Sequence, residues 1–152
     1  MQQELRELYQ QVILDHNKAP RNFRKIEDAS NFAEGHNPLC GDNVIIYMKV
    51  DENNIIQDIS FQGSGCAISK ASASLMTSIL KGKTVEEAEK LFHKFHDLVT
   101  DKLGDNFSVD EFGKLAVFAG VREFPARVKC ASLAWHTMMN ALHNKSEKAV
   151  TE

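Results

Sequence analysis

This sequence is poor in the features that mark a disulfide scaffold, a membrane span or a nucleic-acid surface. Its cysteines number three, at positions 40, 66 and 130, an odd set spread too widely for a disulfide framework. A reducing compartment would keep them as thiols. No apolar run is longer than Val44–Met48, against the roughly 20 residues that a bilayer-spanning helix needs. The N-terminal M-Q-Q-E-L-R-E-L is amphipathic and lacks the pattern of a signal peptide, so a cytoplasmic location is expected. With 18 Lys and Arg against 21 Asp and Glu the formal net charge is −3, and no block of basic residues occurs. Neither nucleic acid nor a membrane is therefore an expected partner. Internal repeats and low-complexity segments are absent too.

What is present suits one domain over residues 1–152. At 43% hydrophobic, such a chain can bury roughly 70% of its unfolded surface. Leu5, Leu8, Tyr9, Val12 and Ile13 recur at helical spacing, so residues 3–16 are expected to form an amphipathic helix that stops at K-A-P-R-N. From Asn43 to Val50 the period becomes two; D-E-N-N is a turn, and Ile55 to Gln62 is the second strand of a hairpin. G-S-G-C at 63–66 leads into a helix with Ile68, Ala71, Leu75, Met76 and Ile79 on one side. T-V-E-E at 84–87 is a capping box that opens a further helix, and S-V-D-E at 108–111 reads as a shorter use of the same device. A last helix is expected from near Pro125 to about His143, followed by a tail frayed over about 145–152. Helix, hairpin, then several helices point to an α+β fold: a small antiparallel sheet with helices packed mainly on one face.

The chemistry centres on H-N-P-L-C-G-D-N, residues 36–43. Cys40 sits there in a Pro/Gly turn, which places it at a surface, and Asp42 follows two positions later. Cys66 stands at a helix start, where unsatisfied N–H groups and the dipole favour a thiolate. Cys130 is expected about one turn inside the last helix. Thiolates and a carboxylate are suitable zinc ligands, and Cys40, Asp42, Cys66 and Cys130 would fill a tetrahedral shell. Spacing alone leaves this open, because ligands separated by 26 and 64 residues are not a C-x-x-C pattern and free cysteine is commonly a buried core residue. The histidines are less telling. His93 and His96 flank a core-facing stripe, His136 and His143 lack a third partner, and His16 suits either a partner contact or a helix-end role.

Four blocks carry a resemblance: Y-Q-Q-V-I-L-D-H-N-K-A-P-R-N, N-P-L-C-G-D, G-S-G-C-A-I-S-K-A-S-A-S-L-M-T and F-P-A-R-V-K-C-A-S-L-A-W. In this order, and over nearly the whole chain, they resemble the IscU/NifU-N family of iron-sulfur cluster assembly proteins, whose fold is SufE/NifU-like. The chain departs from the scaffold branch in having Lys129 where that branch has His. It reads E-F-P-A-R-V-K in place of the chaperone-docking L-P-P-V-K, and it carries the extra T-D-K-L-G-D-N-F-S-V-D-E-F-G-K. These departures resemble the SufU branch of Gram-positive bacteria.

The resemblance implies a zinc site made by Cys40, Asp42, Cys66 and Cys130, and receipt of sulfur from a PLP-dependent, SufS-like cysteine desulfurase. The product would pass to a downstream iron-sulfur scaffold or to apo-proteins. It also implies Cys40 as sulfur acceptor, consistent with its loop position, with Cys130 in reserve. The alternative is a scaffold on which a transient [2Fe-2S] cluster is built by the same ligands. Three thiolates and a carboxylate around a divalent cation leave a formal charge of −2, and Arg127, on the helix face of Cys130, is the expected counter-charge. Any catalysis would be zinc-dependent sulfur transfer beside the desulfurase. Two other classes compete: a binding module in which zinc only holds the fold, and a free-standing thiol enzyme using Cys66, which lacks a Cys-His-Asn pattern.

Overall fold

A computed structural model describes residues 3–38, 41–100, 112–143 and 149–150. In chain order it contains α1 (Gln3–Lys18), β1 (Asn31–Asn37), β2 (Asp42–Val50), β3 (Ile56–Ser64), α2 (Ala67–Leu80), α3 (Val85–Val99), a 3-10 helix (Gly113–Glu123), α4 (Pro125–Leu142) and β4 (Ala149–Val150). The sheet order is β3-β2-β1-β4. β1/β2 and β2/β3 pair antiparallel, and β4 lies parallel to β1 through Gly35↔Ala149 and His36↔Val150. The architecture is the α+β arrangement expected.

The β2/β3 hairpin forms where alternation placed it, with Asn54 at φ 60 supplying the left-handed residue of the D-E-N-N turn. β1 was not foreseen. Its core-facing positions are Ala33, Gly35 and Asn37, too small or too polar to give a hydrophobic period. They are small because α4 lies close against them: a Cβ on Gly35 would meet Thr137 Oγ1 at 2.0 Å. The expectation of a frayed tail does not extend to Ala149–Val150, which pair with β1.

The helices pack on one face of the sheet. α4 lies against β1 and β2, while α2 sits between α1 and α4 and also touches β3. This explains the Ser/Ala composition of α2, which is buried on nearly all sides; Ser72 Oγ donates to the Ala131 carbonyl of α4 at 2.6 Å. The capping box at Thr84 and Glu87 forms in full and starts α3. The second one proposed, at 108–111, lies outside the described residues. At the centre of the core, Phe95 stacks on Trp135 with centroids 4.6 Å apart and meets Phe118 edge-on.

Candidate metal centre

One end of the sheet gathers the polar residues. Asn37 and Asp42 are register partners that close β1 and β2, and both continue the core-facing rows of their strands. Residues directly opposite in an antiparallel pair project to the same side. Each therefore points inward and is 0% exposed. An acid in that row carries a cost unless its oxygens are bonded. Asp42 Oδ1 accepts the Cys66 backbone N–H at 2.8 Å, and Asn37 Nδ2 lies 3.5 Å from Oδ2. On the other side of the strand, His36 Nδ1 reaches the Asp42 carbonyl at 3.1 Å and steadies the hairpin end.

Cys66 is brought to this point by the turn that follows β3. It is the N-cap of α2, in extended conformation, and its sulfur accepts the Ser69 N–H at 3.4 Å. A sulfur so placed faces the N–H groups of the first turn, as its position in the sequence suggested. The close approach to Asp42 depends on Gly65, where an added Cβ would lie 2.4 Å from Oδ1 and 3.0 Å from Cγ. Cys130 comes from α4, in its second turn, and is 3% exposed. Asn37 Nδ2 is 3.7 Å from its sulfur.

One ligand atom from each of Asp42, Cys66 and Cys130 lies within 4.8 Å of the others. Cys66 Sγ is 3.9 Å from Asp42 Oδ2. In a tetrahedral zinc shell with metal–sulfur bonds near 2.3 Å, neighbouring ligand atoms stand about 3.5–3.8 Å apart. The donor set fits a metal by its chemistry, and the Cys66–Asp42 pair already stands near that spacing. Among the described residues it is the single group of this kind. Cys40 lies outside the described residues; its neighbours Pro38 and Gly41 are exposed, and Gly41 has φ 68.

The other candidate residues have partners of their own. Arg127 is exposed, with its guanidinium over the Phe124 ring, 4.7 Å from the centroid. His93 and His136 contact Phe92 edge-on, and His143 pairs with Glu89 at 3.3 Å. His16 lies in the last turn of α1, a helix-end position, but is buried at 6% exposure with its Nδ1 2.6 Å from Ser74 Oγ. Burial, with Arg21 and Lys114 nearby, holds its imidazole below the ordinary range. Asn37 was missed. It continues the row of Ala33 and Gly35, and a row that small and polar gives no hydrophobic period by which to read it as core-facing.

No helix among the described residues is long and apolar enough to cross a membrane. The family profile described as "NifU-like N terminal domain" matches residues 8–149. The zinc-dependent sulfurtransferase SufU of Bacillus subtilis (strain 168) is 44% identical over 131 residues, 86% of each chain. The iron-sulfur cluster assembly scaffold protein IscU of Streptococcus pyogenes serotype M1 is 39% identical, over 91% of this chain and 84% of that one. A crystal structure from the thermophile Fervidobacterium islandicum AW-1, described as an iron-sulfur cluster assembly scaffold protein for the SUF system, superposes with a TM-score of 0.78 at 37% identity, covering 86% of this chain and 93% of that one. A profile match over nearly the full length, on a fold whose sheet end gathers two cysteines and an aspartate, establishes that the chain belongs to the NifU-like N-terminal domain family.

Proposed function

We propose that this protein is an iron-sulfur cluster assembly protein that binds zinc through Cys40, Asp42, Cys66 and Cys130 and accepts sulfur from a PLP-dependent, SufS-like cysteine desulfurase. The observation that carries the reading is the convergence of Asp42, Cys66 and Cys130, delivered by a strand end, a helix N-terminus and a helix interior to within 4.8 Å. Cys40 joins the set on two grounds: it stands two residues before Asp42 in the β1–β2 connection, and the family resemblance includes it. The relative named a zinc-dependent sulfurtransferase supports zinc as the metal. Arg127, one turn before Cys130 on α4, is the proposed counter-charge.

Bound zinc would keep the thiols deprotonated at neutral pH and hold the three segments together. The residues supply the rest. A carboxylate is a harder donor than a thiolate, so Asp42 leaves the site more labile than an all-cysteine one. For transfer, the Cys40 thiolate attacks the outer sulfur of the persulfide on the desulfurase. A sulfur–sulfur bond forms to Cys40, and the bond to the desulfurase cysteine breaks. That cysteine leaves as a thiolate with the electron pair and then takes a proton, so no oxidant or reductant is consumed. Cys130 is the reserve acceptor; its 3% exposure makes direct attack on a partner's persulfide harder. The setting is one domain in the cytoplasm, with sulfur passed on to a scaffold or to apo-proteins.

A second reading uses the same ligands to build a [2Fe-2S] cluster, supported by the thiolate-rich donor set and by the relatives named scaffold proteins. The experiment is to mix zinc-loaded protein with its desulfurase and cysteine under anaerobic conditions. The transfer reading expects faster sulfide release, and sulfane sulfur on Cys40 by mass spectrometry. Sulfane sulfur on Cys130 and never on Cys40 would overturn the acceptor assignment. A cluster chromophore without faster release would favour the scaffold.

A further inference from the structure

We infer that Asn37 is the positioning residue of the metal centre: one buried amide nitrogen spans Asp42 and Cys130 and holds both ligand atoms in place before a metal arrives. The inference rests on the reading that Asp42, Cys66 and Cys130 are metal ligands.

Asn37 is opposite Asp42 at the closed end of the β1–β2 hairpin, and both side chains turn to the core. Asn37 is 0% exposed, so its amide has exchanged water for protein partners. Its Nδ2 lies 3.5 Å from Asp42 Oδ2 and 3.7 Å from Cys130 Sγ. A primary amide nitrogen carries two hydrogens, so it can serve both acceptors at once. Few side chains of this size could do so; Asp or Leu at this position has no N–H to offer.

The consequence for Asp42 is geometric. Oδ1 is engaged by the Cys66 N–H at 2.8 Å and Oδ2 is approached by Asn37, which fixes the plane of the carboxylate. Oδ2 is also the oxygen that faces Cys66 Sγ, 3.9 Å away. Asp42 thus turns Oδ2 toward the site. For Cys130 the consequence is electronic: with a metal bound, the Asn37 N–H would make a charge-assisted contact with the thiolate and draw electron density from it. Asn37 touches neither a substrate nor the sulfur in transit. It acts through the ligands.

The test uses the full chain with Asn37→Leu and Asn37→Asp, two side chains close to Asn in size. Circular dichroism of the metal-free proteins checks the fold, chelator competition gives zinc affinity, and Co²⁺ loading gives a sulfur-to-metal charge-transfer spectrum. Loss of such an outer partner typically weakens metal binding about 10–100-fold. The expected result is a loss of that order, larger for Asn37→Asp because it sets a second carboxylate beside Asp42, together with a shifted charge-transfer band. Folded variants with wild-type affinity and an unchanged spectrum would overturn the inference while leaving the ligand set intact. A second readout needs no variant: the side-chain NH₂ resonances of Asn37 should move when the wild-type protein is loaded with Cd²⁺, and unmoved resonances would overturn it. A wild-type protein that takes up none of these ions would overturn the ligand reading, and this inference with it.

Discussion

The backbone N–H of Cys66 donates to Asp42 Oδ1 at 2.8 Å while the Cys66 sulfur stands 3.9 Å from Asp42 Oδ2. One carboxylate therefore ties down the start of α2 with one oxygen and turns the other toward the Cys66 sulfur. Cys66 is equally double in role, because its sulfur also accepts the Ser69 N–H as the N-cap of α2. The site and the helix start share the same atoms.

These roles can be separated. Serine is a good N-cap residue, so Cys66→Ser should keep the Ser69 N–H satisfied and leave the metal-free protein nearly as stable as wild type. Cys66→Ala removes the acceptor and should cost about 1 kcal/mol more. Both should lose stoichiometric zinc. Denaturant melts of the metal-free proteins, with zinc content measured alongside, check the pair.

Gly65→Ala should damage the site without replacing any candidate ligand. The added methyl would sit 2.4 Å from Asp42 Oδ1, so either the carboxylate or the turn must move. Overpacking of this kind costs about 1–3 kcal/mol. The expected outcome is a lower melting temperature in the metal-free protein and weaker zinc binding by chelator competition.

Zinc removal should lower stability in proportion to how tightly the folded site binds. At a free zinc concentration 100 times Kd, linkage stabilises the fold by about 2.7 kcal/mol, or roughly 5–10 °C in melting temperature for a chain of this size. Scans with and without a chelator measure it. The shift should vanish in Cys130→Ser.

A pH dependence follows from His16. Its folded pKa is lowered, chiefly by burial and then by Arg21 and Lys114, whereas an unfolded histidine titrates near 6.5. Between the two values the unfolded chain holds the extra proton, so stability rises with pH across that interval. It is fully present above about 6.5 and is lost as pH falls through 6.5 toward the lower folded value. His136, lowered by burial and by His96, acts in the same direction. Metal-free wild type should be less stable at pH 5.5 than at pH 7.5, and His16→Gln should flatten part of that slope.

Much of this was legible in the sequence because local chemistry and tertiary role agree there. The alternation in Val44–Val50, the Thr84–Glu87 capping box and Pro125 at the start of α4 each specify their element locally, and each element formed. β1 was hidden because a tightly packed helix selects Ala33 and Gly35 on its core face, which erases the hydrophobic period. In α2 the pairing of Ser74 with His16 and of Ser72 with α4 was hidden, since partners distant in sequence leave no local mark. The candidate ligands were suggested by residue type and by the family resemblance, their spacing alone leaving the set open. Asn37 was not, because its role depends on a register that only pairing with Asp42 reveals.

The account turns on whether sulfur and carboxylate share one metal, and X-ray absorption at the zinc edge measures that most directly. It predicts one zinc per chain with three sulfurs at about 2.3 Å and one oxygen at about 2.0–2.2 Å, the oxygen shell being lost in Asp42→Cys. A shell made of nitrogen and oxygen only, or one unchanged by Cys66→Ser and Cys130→Ser, would contradict it.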